Sequence, residues 1–214
     1  MRQSYVPSDA EVIAAAHARP QEFTELYRRH ARAVFRYAVS RLGREHADDL
    51  TSETFLGAFE RRARFDPEVG SALPWLLGIT TRLIRRHQRT EIASWRLLER
   101  ARGVGGEGTE RDRLDPVVDA DARIDARASA TVLASAVAGL RKRDREVLAL
   151  TAWSELDTPG IAAALGIPQG TVRSRLHRVR RILRSHLDAG GARETESNHE
   201  RQADRCAATP APNA

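Results

Sequence analysis

Apolar positions in this chain recur at intervals of three and four residues, and no stretch shows the alternation of period two that a half-buried strand requires. The pattern predicts an all-α protein. A short amphipathic helix is expected over about Asp9–Ala18, ending before Pro20. A second begins near Gln21 and places Phe23, Leu26, Tyr27, His30, Val34 and Tyr37 at helical spacing, with Gly43 closing it. A third runs from about His46 to Arg62, where Leu50, Thr54 and Ala58 share a side and Phe55 and Phe59 adjoin it. Pro67 and Gly70 break the pattern in a loop, Arg64–Ser71. A fourth helix over about Ala72–Arg89 then directs Trp75, Leu76, Ile79 and Leu83 inward.

From about Thr90 the periodicity lapses. Gly103, Gly105, Gly106 and Gly108 interrupt any helix, and five aspartates between Asp112 and Asp125 follow with few large apolar groups, the character of a flexible linker. Helical spacing resumes over about Asp125–Asp188, and the small, polar residues from Ala189 to Ala214 are expected to be disordered. The expected organisation is two small helical domains, residues 1–89 and 125–188, joined by a linker of residues 90–124 and followed by a tail, residues 189–214.

Charge narrows the choice of partner. Lys+Arg number 35 against 29 Asp+Glu, a formal charge of +6, and the surplus gathers in a few helices, which suits a polyanion. Lys142 is the sole lysine; a GC-rich genome accounts for Arg over Lys but not for the clustering. The single cysteine, Cys206, excludes an intramolecular disulfide and any metal site built on several thiolates, and it agrees with a reducing cytoplasm. The longest apolar runs, around Ala72–Ile79 and Val132–Leu140, are too short to span a bilayer, and no signal-peptide core is present at the N-terminus. A cytoplasmic protein without membrane insertion is expected.

The most specific signal lies between Thr158 and Arg178, TPGIAAALGIPQGTVRSRLHR. Thr158 is suited to cap a helix that tolerates Pro159 in its first turn, Ala162 is small where two helices cross, Gly166 suits a tight turn, and Thr171 is suited to cap a second helix. That helix divides by face. Val172, Leu176, Val179, Leu183 and Leu187 form an apolar stripe, while Arg173, Ser174, His177, Arg178, Arg181 and Arg184 lie off it, and no acid occurs between Thr171 and Leu187. Such a helix can enter a major groove, its first turns presented to base edges and its later arginines to phosphates.

This segment, with LRKRDREVLAL from Leu140 to Leu150, resembles region 4 of the extracytoplasmic-function sigma factors, the domain that reads the upstream promoter element in that family. The resemblance assigns upstream DNA contacts to Thr171, Arg173, Ser174, Arg175, His177, Arg178 and Arg181. The family's usual glutamate before Ile-Ala is replaced here by Gly160. Farther upstream, ADDLTSETFLGAF from Ala47 to Phe59 resembles the polymerase-binding helix of sigma region 2, which implicates Asp48, Asp49, Leu50, Glu53 and Phe55. WLLGITTRLIRRHQR from Trp75 to Arg89 resembles the region 2 helix for the downstream promoter element, with Arg82 where the family commonly carries Asn. Arg82, Arg85, Arg86 and Arg89 would hold phosphates there, and the loop with Phe65 and Asp66 would capture an unstacked base. Phe65 is equally suited to anchoring the loop, and Trp75 to core packing.

The implied partners are core RNA polymerase, promoter DNA and an anti-sigma factor, with no cofactor. A free-standing helix-turn-helix regulator is the alternative. An enzyme is disfavoured, since no nucleophile–base set or phosphate-cradling glycine loop is visible. A metal shell of His46, Asp48, Asp49 and Glu53 is disfavoured too, because neighbours on one short helical segment rarely complete a shell.

Overall fold

The computed structural model describes the backbone of residues 6–101 and 133–207, and every regular element within them is helical. Helix α1 spans Asp9–Ala18 and starts at a reciprocal cap: Ser8 Oγ accepts from the Glu11 amide, while the Glu11 carboxylate accepts from the Ser8 amide at 2.7 Å. A single 3-10 turn at Pro20–Glu22 leads into α2, Phe23–Leu42, which stops at Gly43 because the chain there adopts φ of 79°, open to glycine without strain. Helix α3 covers Ala47–Glu60, and α4 covers Leu73–Ala101. Beyond the gap come α5 (residues 133–138), α6 (Lys142–Trp153), α7 (Thr158–Leu165) and α8 (Gln169–Ala207).

Two expected boundaries move. Helix α4 continues through Ala101 instead of ending at Arg89, since no glycine or proline stands between Gly78 and Gly103 to stop it. Residues 102–132, which hold the rest of the expected linker and the start of the second domain, lie outside the described residues. The segment expected to be a disordered tail continues α8 as far as Ala207. Ala, Arg, Glu and Gln favour helix there, and Gly190 and Gly191 cost only about 1 kcal/mol each; residues 208–214 lie outside the described residues.

Helix α4 is the axis of the molecule. Leu76 and Leu77 are adjacent in sequence and both have no exposure, which requires neighbours on two sides. On one side α2 and α3 close over it, with Tyr37 Oη and Thr81 Oγ1 hydrogen-bonded at 3.0 Å in the interior. On the other lies α7, so close that a Cβ at Gly78 would stand 2.8 Å from the carbonyl oxygen of Ala164. Buried residues of α6, α7 and α8, among them Val147, Leu150, Ile161 and Val172, therefore join the core built by α1–α4. The two helical units read from the sequence are present, and they share one interior.

A buried carboxylate locks α1 onto this core. Asp9 meets His30 Nε2 at 2.7 Å and Arg29 Nη1 at 3.1 Å, and accepts from the Ala72 amide at 2.8 Å, joining α1, α2 and the start of α4. Burial by itself would raise the Asp9 pKa. The hydrogen bond and charge of His30, the Ala72 amide and Arg29 outweigh it and hold the carboxyl at about 2.

Candidate nucleic-acid interface

The helix-turn-helix is built by α7, the turn at Gly166 and the first half of α8. Its caps differ from the sequence reading by one residue for α7 and three for α8. Asp157, not Thr158, caps α7, its Oδ1 accepting from the Gly160 amide at 2.8 Å, so Thr158 and Pro159 occupy the first turn. Gly166 takes the left-handed conformation, φ of 64°. Helix α8 begins at Gln169, directly after Pro168, so Thr171 lies inside its first turn instead of capping it.

Along α8, Val172, Leu176 and Val179 are buried while Arg173, Ser174, His177 and Arg181 are exposed. Thr171 and Arg175 are partly buried at the edge of this face. Arg178 is engaged elsewhere. Its Nη1 contacts both carboxylate oxygens of Asp144 at 3.2 Å, and Asp144 is only 1% exposed, so the expected base contact is in this structure a brace between α8 and the start of α6. The acid came from a different helix, where the acid-free spacing of α8 could not reveal it.

Beside this brace lies a groove of about 350 Å³ lined by Arg141, Lys142, Arg143, Thr171, Ser174, Arg175 and Arg178 around Asp144. Five cations face one carboxylate, which Arg178 already offsets, so the groove is strongly positive. Arg141, Lys142 and Arg143 were missed as site residues. The signal was available as a run of three basic residues at the head of α6, but only folding brings it against the first turn of α8.

The second candidate surface divides into packed and exposed residues. Phe65 packs edge-on against Trp75 with ring centroids 5.3 Å apart, and both pack on the core, so Phe65 anchors the loop and Trp75 serves packing. Asp66 Oδ1 accepts from the Glu68 amide at 3.0 Å and shapes the turn that follows. Arg82 and Arg89 are exposed, and each donates through Nε to a carbonyl of its own helix, Gly78 and Arg85 respectively. Arg86 is exposed, with Nη1 3.8 Å from Glu53 Oε1. Arg85 departs from the group: its guanidinium turns to α6 and grips Glu146 through two hydrogen bonds of 2.7 Å.

On α3, Asp48, Asp49 and Glu53 face solvent, as a docking surface requires. Leu50 and Phe55 do not, being 5% and 6% exposed within the core, which corrects their assignment to a partner surface. The exposed apolar groups on this side are Leu56 and Tyr27, the latter edge-on to Phe55 at 4.8 Å. Leu56 was passed over because the apolar residues around it read as core.

Comparison with known proteins agrees with this architecture. Residues 26–93 match the family model for Sigma-70 region 2, and residues 131–183 that for Sigma-70, region 4. The chain is 34% identical over 170 residues to the ECF RNA polymerase sigma factor SigE of Mycolicibacterium smegmatis, covering 76% of this chain but only 60% of that relative. It is 30% identical over 183 residues to SigL of Mycobacterium tuberculosis, covering 85% of this chain and 98% of SigL. Among solved structures, CnrH in complex with the cytosolic domain of CnrY matches at 25% identity with a TM-score of 0.56, covering 86% of this chain and 99% of that one. The sigma factor RpoE in complex with the anti-sigma factor NepR from Bartonella quintana shares the fold, at 22% identity and a TM-score of 0.55. With both sigma-70 regions matched in order and SigL covered over nearly its whole length, the chain belongs to the extracytoplasmic-function sigma factors of the sigma-70 family.

Proposed function

We propose that this protein binds core RNA polymerase and directs it to promoters, with the exposed face of α8 reading the upstream element. The observation that carries this reading is the helix-turn-helix face of Arg173, Ser174, His177 and Arg181 beside the positive groove of Arg141, Lys142 and Arg143. Base edges fall to the first set and Arg175, and phosphates to the second. The exposed acids Asp48, Asp49 and Glu53, with Leu56 and Tyr27, form the polymerase contact. Arg82, Arg86 and Arg89 hold the downstream strand, and Asp66 lines a base pocket whose wall is fixed by Phe65.

The protein contributes specificity and no catalytic step, and it works in the cytoplasm beside the polymerase. Among the described residues no helix is long and apolar enough to cross a membrane. A protein that sequesters the factor is a further partner, by analogy with the CnrY and NepR complexes.

The deciding experiment is titration of the full chain against core polymerase, followed by footprinting on matched and scrambled upstream elements. Binding to core, and protection of the matched element only in its presence, is the expected result. Charge reversal in Asp49→Lys should weaken core binding with helical content nearly unchanged. Sequence-selective operator binding without polymerase would replace this reading with a free-standing regulator.

A further inference from the structure

We propose that His46, His87 and Glu91 form a binding site for one borderline divalent cation of the zinc class. Among the described residues this is the only group of three potential ligands whose donor atoms converge, all within 4.8 Å of one another. His46 stands at the N-terminal boundary of α3, where its side chain makes no capping hydrogen bond. His87 and Glu91 lie one turn apart on α4, at the spacing that puts two side chains on one stripe. The chain segments bearing these ligands are distant in sequence and meet only in the folded state.

The geometry suits a small cation. The imidazole centroids of His46 and His87 are 4.8 Å apart and tilted by 51°. Glu91 Oε2 is 3.5 Å from His87 Nδ1, a buried nitrogen with no hydrogen-bond partner. Two ligands each bound to zinc at about 2.1 Å in tetrahedral geometry stand roughly 3.4 Å apart. The His87–Glu91 spacing already meets that distance, and the widest spacing in the group closes to it by roughly 1.4 Å of side-chain rotation. Both histidines are half-buried and Glu91 is exposed, which leaves a side open for water as a fourth ligand.

The donor set decides the class of ion. Two imidazoles and one carboxylate suit zinc, cobalt or nickel, whereas magnesium and calcium take oxygen ligands almost alone. The plain alternative is an ordinary i,i+4 His–Glu pair on a helix surface. That alternative gives His46 no role, and it leaves the buried His87 Nδ1 with an ionic contact at 3.5 Å but no hydrogen bond. A bound cation would clip the head of α3, beside Asp48 and Asp49, to the second half of α4.

The test uses the full chain and zinc alone, and does not depend on any promoter or polymerase. Calorimetric titration should show one tight zinc, and the melting temperature should rise by about 5 °C at zinc a hundredfold above Kd, with magnesium inert. His46→Ala and Glu91→Gln should each weaken zinc at least tenfold, while His186→Ala, on the exposed face of α8, leaves it unchanged. Glu91 is exposed, so its variant keeps the fold and the test stands even if His46→Ala does not. Zinc binding that is absent, or equally tight in Glu91→Gln and the unmodified chain, overturns the three-ligand site.

Discussion

Arg85 and Glu146 are joined by two parallel hydrogen bonds of 2.7 Å, one from Nε and one from Nη2, and the Glu146 side chain is only 2% exposed. The pair links the region 2 helix α4 to the region 4 helix α6, so the two units are tied by charge as well as by a shared core. The hydrogen bond to Glu146 raises the Arg85 pKa above its ordinary value, and burial only partly offsets it.

The pair should respond asymmetrically to mutation. Arg85→Ala strands the Glu146 carboxylate in the interior, at a cost of about 3–5 kcal/mol, whereas Glu146→Ala leaves a partly exposed guanidinium that can turn to water, at a smaller cost. Urea unfolding of both variants measures this order. Glu146→Ala should also tighten binding of single-stranded downstream DNA by freeing Arg85, an effect that weakens as salt rises. A larger loss of stability in Glu146→Ala than in Arg85→Ala would contradict the interface.

Gly78→Ala separates tertiary from local effects. Within an isolated helix the change would stabilise by about 1 kcal/mol. Here the added Cβ would stand 2.8 Å from the Ala164 carbonyl, so α7 must retreat. The expected outcome is a lower melting temperature and a larger radius of gyration in small-angle scattering. A stabilised, equally compact variant would mean that α4 and α7 do not pack this way in solution.

Upstream specificity and region 4 stability should belong to different arginines. Arg173→Ala should cost about 1–3 kcal/mol of discrimination at one base position and leave melting unchanged. Arg178→Ala leaves Asp144 buried without its cation, and should lower stability by about 3 kcal/mol. Binding to an upstream-element variant panel, read beside thermal melts, distinguishes them; the reverse pattern would return Arg178 to the reading face.

Asp9 sets an acid limit on the fold. Its pKa is about 2 in the folded state against an ordinary 3.8, so the proton prefers the unfolded chain. The resulting stabilisation, about 2 kcal/mol, is fully present above pH 4 and is lost progressively as pH falls from there through about 2. Urea unfolding from pH 6 to pH 2 should show this slope in the unmodified protein and a weaker one in Asp9→Asn. Parallel curves would remove Asp9 from the acid response.

Local chemistry determined much of this protein. The periods of three and four set the all-helical class, Gly43 and Gly166 marked turns that need positive φ, and the basic, acid-free stretch from Thr171 to Leu187 marked the candidate DNA-binding helix. These features were legible because each depends on residues within one or two turns of one another. Local chemistry also named Arg85 and Arg178 as free cations, and the family resemblance named Leu50 and Phe55 as partner contacts, and there both misled. Each of those assignments depends on what stands opposite the side chain. Glu146 lies 61 positions from Arg85 and Asp144 34 from Arg178, separations at which helical spacing carries no information. The same holds for His46, which finds His87 only because α3 and α4 pack side by side. Tertiary packing decided which charges remain available to DNA, because a buried carboxylate must take a cation from whatever helix the fold sets against it.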